Sequence, residues 1–261
     1  MIQARKRFGQ NFLHDRHIIH KIITAIAPAT HAHIVEIGPG RGALTYPLLE
    51  SAKQLTAIEI DRDLIAQLRE KAPKLHLIEG DVLKVDFSLI PQSLCDSSLI
   101  QGSEKLTIVG NLPYNISTPL LFHLLEFREH IEAMFFMLQK EVVLRMAAEP
   151  NSKDYGRLSV MIQYFCEVDP LFLVPPGAFT PAPQVDSMIV RLKPYALSPY
   201  GAILDFKHFE NIVRLAFNQR RKTLRNALKS LALSIPDEYA YKRAEELSVQ
   251  DFVDLAQIKA T

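Results

Sequence analysis

Apolar runs alternate with helix-forming segments along most of the chain, and this alternation predicts an α/β sheet. The predicted strands are residues 34–37, 55–58, 75–78, 107–110, 132–138, 171–174 and 187–192. A first helix is predicted from about residue 15 to 27, and a second follows the glycine-rich turn and ends at residue 49. Further helices are predicted to begin near residue 117 and after residue 139, and another covers residues 158–165. The strand, glycine-rich turn and helix over residues 34–49 are typical of a doubly wound sheet.

The pattern changes after Lys193-Pro194, where a linker rich in proline, glycine and serine runs through Gly201. From Phe206 onward the periodicity is helical and no strand is indicated. The sequence therefore predicts an α/β domain at residues 1–194, beginning with a lid segment at residues 5–13, and a small all-helical domain at residues 202–261.

A run of basic residues without any acidic residue marks the start of the helical domain. Its members between residues 211 and 229 are Arg214, Arg220, Arg221, Lys222, Arg225 and Lys229. A basic run on a helix favours contact with phosphates, although a solvated helix face gives the same pattern. The basic segment that includes Arg5, Lys6 and Arg7 is interpreted as part of a lid, and a solvated basic leader is the simpler alternative.

Composition narrows the class of protein further. The 261 residues carry a formal charge of only +1, so affinity for nucleic acid must come from local clustering. Cys95 and Cys166 are far apart, which favours a reducing cytoplasm without a disulfide framework. His14, His17 and His20 spread around an arc of one helix, so no metal is assigned. The apolar runs are too short to cross a membrane.

Acidic residues follow the second and third strands, beyond the glycine-rich turn at residues 38–43. Glu59 lies roughly twenty residues after that turn, where a carboxylate accepts ribose hydroxyls. Asp81 is placed to accept from an adenine amino group, and Val82 supplies a backbone amide to the ring. Both acids also suit the N-cap of the next helix, and one residue can fill both roles.

Two cofactors fit this arrangement. Gly38-x-Gly40-x-x-Ala43 satisfies a dinucleotide fingerprint, so an NAD-dependent oxidoreductase is one alternative. Acidic groups after both strands, without a dedicated pyrophosphate cradle, favour S-adenosylmethionine.

The fourth strand stops at Asn111-Leu112-Pro113-Tyr114. The Asn111 side-chain oxygen and the Leu112 carbonyl can bind the two hydrogens of an exocyclic amine, with Pro113 fixing the carbonyl direction. Tyr114 can stack on the base and fix the angle of approach. This is the outline of a methyl-acceptor site, and an ordinary strand-to-loop turn is the simpler interpretation.

A proline-stiffened loop at residues 175–183 carries one large ring, Phe179. The ring is expected to be exposed at a sheet edge, where it covers the second face of the target base. The alternative is that Phe179 anchors the loop in the core, which is the commoner fate of a phenylalanine.

In order along the chain, these segments resemble the KsgA family of ribosomal RNA adenine dimethyltransferases. The matching motifs are Arg7-Phe8-Gly9-Gln10-Asn11-Phe12-Leu13, Glu36-Ile37-Gly38-Pro39-Gly40, Glu59-Ile60-Asp61, Gly80-Asp81, Asn111-Leu112-Pro113-Tyr114-Asn115-Ile116-Ser117, Gln139-Lys140-Glu141, Phe179-x-Pro181-x-Pro183-x-Val185-x-Ser187 and Phe217-Asn218-Gln219-Arg220-Arg221-Lys222.

The resemblance implies a class I S-adenosylmethionine-dependent methyltransferase fold, Rossmann-like, with a seven-stranded mixed sheet and a helical C-terminal domain. It implies four methyl transfers, two onto each of two adjacent adenosines in the 3′-terminal hairpin loop of 16S small-subunit rRNA. The implied partner is the 30S pre-ribosomal particle, modified during ribosome biogenesis. Apart from the resemblance, nothing in the sequence indicates an obligate oligomer, so a cytoplasmic monomer is expected. The cofactor contacts it implies are Asn11, Leu13, Gly38, Glu59, Asp81 and Asn111; of these, Asn11 and Leu13 rest on the resemblance alone.

Other classes remain open at this point. A ribosome-assembly factor with a vestigial site would keep the basic helices. An antibiotic-resistance methyltransferase acting on large-subunit RNA shares the tetrapeptide, but the motifs Phe8-Gly9-Gln10 and Asn218-Gln219-Arg220-Arg221-Lys222 favour the small-subunit family. A DNA target is disfavoured by Leu112 and the basic helices.

Overall fold

The computed structural model describes residues 10–90, 105–113, 116–219 and 221–258. The chain forms two compact units. Unit 1 contains residues 1–140 and 169–194, and unit 2 contains residues 141–168 and 195–261. The division at residues 194/195 falls where a linker was predicted. Residues 141–168, however, group with the C-terminal helices, whereas the sequence placed them in a continuous domain at 1–194.

A seven-stranded mixed sheet, with strand order β4-β3-β2-β5-β6-β9-β7, organises unit 1. Its strands are β2 (His33–Ile37), β3 (Leu55–Glu59), β4 (His76–Glu79), β5 (Leu106–Asn111), β6 (Ile131–Gln139), β7 (Cys166–Val174) and β9 (Ser187–Pro194). A two-stranded sheet pairs β1 (Phe12–Leu13) with β8 (Phe179–Thr180). Each strand predicted from the apolar runs overlaps one strand of the large sheet.

The strand order changes direction at β2, which pairs in parallel with β3 on one side and with β5 on the other. Ligands bind at such a switch point, beyond the carboxyl ends of the strands. β2, β3 and most of β5 are buried along their lengths, as expected of parallel strands covered on both faces. The fold therefore places the cleft at the ends of these strands.

The helices of the chain are α1 (Arg16–Ile26), α2 (Thr45–Ser51), α3 (Arg62–Lys71), α4 (Ser117–Glu126), α5 (Lys140–Met146), α6 (Arg157–Phe165), α7 (Phe206–Asn218), α8 (Leu224–Ala227), α9 (Asp237–Ala240) and α10 (Val249–Ala256). Asp15 begins α1 because its side chain accepts from the backbone amides of His17 and Ile18. Ile22 and Ile26 bury one face of α1 in the core that covers the sheet. No helix within the described ranges is long and apolar enough to span a membrane.

Unit 2 has a core of its own, built on the apolar faces of α6, α7 and α10. Phe209 and Phe252 are fully buried there, and the ring of Phe217 lies 5.6 Å from the ring of Phe252. Asp205 begins α7 by accepting from the amide of His208. The described residues after 205 contain no strand of the two sheets, so the predicted helical character is confirmed.

Replacing Gly110 with Ala is expected to lower the free energy of unfolding by about 1–3 kcal/mol, a range typical of overpacked cores. A Cβ atom at Gly110 would lie 2.8 Å from the Ile37 carbonyl oxygen, in the neighbouring strand, and 3.0 Å from Leu112 Cδ2. Chemical denaturation measures the loss. Gly177→Ala is the matched control, because its added Cβ has nothing within 4 Å. Equal stabilities of the two variants would contradict the close packing of β5 on β2.

Candidate active site

A cleft of about 290 Å³ opens at the carboxyl ends of β2, β3, β4 and β5. It is lined by residues 10–13, 36–41, 43–44, 58–60, 80–83 and 111–113, with Leu64 and Ile116. Segments from across unit 1 therefore converge on one site. They include the lid segment, the glycine-rich turn, both predicted acidic residues and the start of the tetrapeptide.

The glycine-rich turn is held against the next strand by Glu59. The Gly40 amide donates to Glu59 Oε2 at 3.2 Å, and the amides of Ile60 and Asp61 donate to Oε1 at 2.9 and 3.0 Å. Gly40 has φ +58°, and a Cβ there would meet the Phe12 ring at 3.4 Å. Only glycine therefore combines this backbone conformation with the close approach of the lid segment.

Burial raises the pKa of Glu59, and the three backbone donors act in the opposite direction. Glu59 is only 6% exposed, yet a carboxylate has about four lone-pair positions and three are used here. It is fixed at the edge of the cleft and keeps capacity to accept from a ligand hydroxyl. The N-cap of α3 is Asp61, not Glu59.

Asp81 fills the N-cap role that its position suggested. Its Oδ1 accepts from the Leu83 amide at 3.1 Å and begins a 3-10 turn at Val82–Lys84. Asp81 and Val82 both line the cleft, beyond the end of β4. Because this bond engages Oδ1, an adenine amino group would use Oδ2.

The described part of the lid segment, Gln10–Leu13, is tied down at several points. Phe12 pairs with Thr180 and Leu13 with Phe179, in the short β1–β8 sheet. Gln10 Nε2 donates to Asp61 Oδ2 at 3.2 Å. Arg41 Cζ lies 4.2 Å from the centroid of the Phe12 ring, a cation–π contact. The segment therefore forms one wall of the cleft, and Asn11 and Leu13 lie within that wall.

Asn111 ends β5 and links the strand to the lid segment, because its Nδ2 donates to the Asn11 carbonyl at 2.9 Å. This bond sets the amide so that Nδ2 faces Asn11, which leaves Oδ1 as the acceptor end. The Leu112 amide donates to the Met137 carbonyl at 3.2 Å, and the Leu112 side chain is 1% exposed. Pro113 lines the cleft, and Tyr114 lies outside the described residues.

The prediction of an exposed ring at Phe179 is wrong. Phe179 is 4% exposed and belongs to the core cluster that includes Leu13 and Ile189. Pairing of β8 with β1 turns the ring inward, and periodicity could not reveal that pairing because the two strands lie far apart in sequence. The anchor interpretation fits this position. Stacking of Phe179 on a base remains a prediction that requires the ring to leave the core.

Glu36, near the end of β2, was not singled out as a site residue. It lines the cleft, is 2% exposed, and its Oε2 has no hydrogen-bond partner within the described part of the protein. Burial raises the pKa of Glu36 to about 7; Thr45 opposes this shift and the Glu59 carboxylate adds to it. Glu36 is therefore a buried carboxyl with one unpaired oxygen, which destabilises the fold. Two sequence signals could have found it: Glu36 is an acid in an otherwise apolar strand, and it opens the motif Glu36-Ile37-Gly38-Pro39-Gly40.

Glu36→Gln is expected to stabilise the protein at pH 8 and to leave it unchanged near pH 4. Below 4.5, the ordinary pKa, Glu36 is protonated in the folded and unfolded chains alike. As pH rises to about 7, the unfolded chain ionises first, so stability falls. Glutamine does not ionise, so the free energy of unfolding of Glu36→Gln at pH 8 should exceed that of the wild type by on the order of 2–3 kcal/mol. Denaturation at both pH values measures it, with the exposed Glu126→Gln as control. A pH-independent difference would contradict the assignment.

The basic run belongs to unit 2, whereas the residues that line the cleft belong to unit 1. Arg221, Lys222 and Arg225 are exposed, and Arg220 falls outside the described residues. Arg225 Nη2 lies 3.4 Å from Asp237 Oδ1, a pair exposed on both sides and therefore weak. Arg214 and Lys229 are exposed as well, so the five described cations of the run are accessible to a phosphate backbone.

A seven-stranded sheet of this order, with carboxylates beyond two successive strands and an amide ending the fourth, places the protein among the class I methyltransferases, which use S-adenosylmethionine. A family model described as "Ribosomal RNA adenine dimethylase" matches residues 1–260, and the chain belongs to this family. The predicted fold class and family resemblance are confirmed.

Among curated relatives, "Ribosomal RNA small subunit methyltransferase A" of Pseudomonas aeruginosa is 54% identical over 262 residues, covering 97% of this chain and 94% of the relative. The protein of the same description from Xylella fastidiosa is 53% identical, covering 99% and 97%. A crystal structure of a dimethyladenosine transferase from Plasmodium falciparum is similar, with TM-score 0.75 and 28% identity, covering 94% and 95%. That of the 23S rRNA methyltransferase ErmE has TM-score 0.68 and 25% identity, covering 95% and 98%.

Proposed function

We propose that the protein dimethylates the N6 amine of two adjacent adenosines in the 3′-terminal hairpin loop of 16S small-subunit rRNA, with S-adenosylmethionine as the donor. The observation that carries the proposal is family membership over residues 1–260 together with Asn111 at the end of the cleft. The donor supplies a methyl group already activated as a sulfonium substituent. Direct transfer of such a group requires no covalent enzyme intermediate and no metal.

The charges of the cleft support a cationic ligand over a pyrophosphate. Glu59 and Asp81 line it together with Glu36, which is only partly ionised near pH 7, and Arg41 is the one basic residue among its described lining residues. Carboxylates repel a dinucleotide pyrophosphate, whereas the sulfonium and ammonium groups of S-adenosylmethionine are attracted. Glu59 would hold the ribose hydroxyls and Asp81 the adenine amino group. This argument disfavours the oxidoreductase alternative.

Asn111 would orient the amine that is methylated. The exocyclic amine of adenine is a poor nucleophile because its lone pair is delocalised into the ring. Accepting its hydrogens at Asn111 Oδ1 and at the Leu112 carbonyl favours a pyramidal nitrogen, and solvent takes the released proton. Tyr114 would stack on the flipped base.

The small-subunit assignment is supported by identity. Two relatives named for the small subunit are 53–54% identical to this chain, whereas the large-subunit enzyme is 25% identical. We propose the 30S pre-ribosomal particle as the substrate and a cytoplasmic monomer as the active form.

Labelled S-adenosylmethionine, offered with unmethylated small subunits and separately with large subunits, tests the substrate class. The label is expected in the RNA of the small subunit alone. Label in large-subunit RNA would move the assignment to a resistance-type methyltransferase. If the protein binds the cofactor and the particle but transfers no methyl group, the assignment would change to a ribosome-assembly factor.

Replacing Arg220, Arg221 and Lys222 together with Ala is expected to weaken binding to the small-subunit particle and to reduce its salt dependence. Each phosphate contact contributes about 0.7–0.9 to the slope of log K against log salt, so the slope should fall by about two. Affinities across a salt series measure this change. Arg69 and Lys71, on α3 in unit 1, provide a control pair. An unchanged slope would mean that the run is a solvated face.

A further inference from the structure

Two segments of unit 2 that are separate in sequence lie side by side. The Leu224 amide, at the start of α8, donates to the Lys242 carbonyl at 2.9 Å, just after α9. Residues 221–229 and 241–243 therefore share one surface. The exposed basic residues on it are Arg221, Lys222, Arg225, Lys229, Lys242 and Arg243. The fold thus extends the basic run with two cations that sequence reasoning had not joined to it.

An aromatic ring lies among these cations. Tyr241 is 67% exposed, although most aromatic side chains of this size are buried. The Arg225 guanidinium lies 5.2 Å from the ring centroid, and its Nη1 donates to the Tyr241 hydroxyl at 3.3 Å. Asp237 holds the same guanidinium from the other side at 3.4 Å. Tyr241 is therefore positioned by a neighbour and still presents most of its surface to solvent.

The basic residues near the Tyr241 ring differ in whether an acidic side chain already pairs with them. Asp237 partly neutralises Arg225, so this arginine is better suited to supporting the ring than to binding phosphate. Lys222 and Lys229 take part in no ion pair with the described acids, and both are exposed. A groove whose lining includes Arg225, Leu228, Lys229, Pro236 and the acidic Asp237 begins at the same arginine. A nucleotide backbone can follow these cations past the ring.

We propose that Tyr241, supported by Arg225, is a stacking platform for an unpaired RNA base, with the neighbouring phosphates on Lys222, Lys242 and Lys229. The proposal rests on the proposed function, because it assumes that the ligand is RNA. Bases in a duplex already stack on one another, so a ring of this kind selects single-stranded nucleotides in loops or at helix ends. The surface would therefore bind RNA through an unpaired base and would not recognise the shape of a duplex.

The chain contains no tryptophan, so Tyr241→Trp places a single tryptophan at the proposed platform, which can be excited selectively over the tyrosines. Stacking of a base on the indole is expected to quench its fluorescence when a single-stranded oligoribonucleotide is added. A duplex RNA of the same composition should quench it much less. Leu197→Trp, at a position 89% exposed outside the basic segments, is the matched control. Equal quenching at both positions, or by both RNAs, would overturn the proposal.

Affinity provides a second test that separates stacking from charge. Tyr241→Leu should weaken binding of the single-stranded RNA by about fivefold or more with an unchanged salt slope, and Tyr241→Phe should largely preserve it. Lys242→Gln should instead reduce the slope by about one. A structural role for the ring would lower thermal stability in Tyr241→Leu without this pattern.

The two proposals can fail separately. If wild-type protein methylates small-subunit RNA while Tyr241→Leu binds and turns over like wild type, the platform is wrong and the function stands. If RNA quenches Tyr241→Trp but no methyl transfer occurs, the function is wrong and the platform stands. With both correct, Tyr241→Leu raises KM for the particle and leaves kcat unchanged.

Discussion

Asn111→Ala is expected to lower the rate of methyl transfer at saturating substrates by about a hundredfold or more, the usual effect of losing a group that acts on the reacting atoms. Asn111 Oδ1 is the acceptor end of the amide, because Nδ2 donates to the Asn11 carbonyl. Without it, the amine loses one of two acceptors that orient its lone pair. RNA binding should remain, since the basic run lies in unit 2. Single-turnover methylation and particle binding measure the two effects.

The bond from Asn111 to Asn11 requires a control, because alanine also releases the lid segment. Cofactor affinity, measured by calorimetry, reports that second effect and should fall by less than the rate. Gln257→Ala, an exposed amide after α10 and outside the basic segments, tests whether truncating an amide is harmful in itself. Turnover of Asn111→Ala within a few-fold of wild type would refute the role of Asn111 in orienting the amine.

Glu59→Gln is expected to weaken S-adenosylmethionine binding by about a hundredfold while leaving kcat at saturating cofactor close to wild type. Glu59 accepts from Gly40 on one oxygen and from Ile60 and Asp61 on the other. An amide has one acceptor oxygen, so in either orientation its NH₂ faces a backbone donor. One charge-assisted hydrogen bond from a backbone amide is therefore replaced by repulsion between two donors, and the ribose loses a charged acceptor. Each of these two changes costs about 1.5–3 kcal/mol of binding free energy.

Glu70→Gln, an exposed change of the same chemistry on α3, is the control for Glu59→Gln. Equilibrium binding of the cofactor separates the variants, and steady-state kinetics shows whether the loss is confined to KM. If Glu59→Gln binds the cofactor as well as Glu70→Gln does, then Glu59 only anchors the glycine-rich turn.

The sheet and the floor of the cleft were predictable because they depend on local patterns. The apolar runs at β2, β3 and β5 mark strands that are almost entirely buried, Glu59 ends β3, and Asp81 follows the end of β4. Parallel strands bring such ends together at one edge of a sheet, so sequence spacing becomes spatial proximity.

Features that depend on pairing between distant segments could not be predicted. The β1–β8 pair joins Phe12 to Thr180 and buries Phe179, which the loop composition had indicated as exposed. The isolation of Glu36 Oε2 depends on which neighbours reach it, not on its own position in a strand. The approach of Lys242 to Leu224 likewise follows from packing between short helices. Hydrophobic periodicity carries no information on these contacts.

The domain boundaries show the same limit. The linker after Pro194 was visible as a change of composition, and a unit boundary falls there. The segment at residues 141–168 contains α5, a polar loop, α6 and the start of β7, a pattern that is equally consistent with either unit. Their membership in unit 2 follows from tertiary packing, and Tyr155, with its ring 6.0 Å from that of Phe217, is one such contact. A functional domain at residues 1–194 remains a prediction.

The most direct test of the central claim is to identify the product nucleosides. Unmethylated small subunits would be incubated with the protein and S-adenosylmethionine, and the RNA digested and analysed by mass spectrometry. The account predicts N6,N6-dimethyladenosine at two adjacent positions of the 3′-terminal hairpin, produced by wild type and lost in Asn111→Ala. Absence of methylated adenosine, with cofactor and particle both bound, would contradict it.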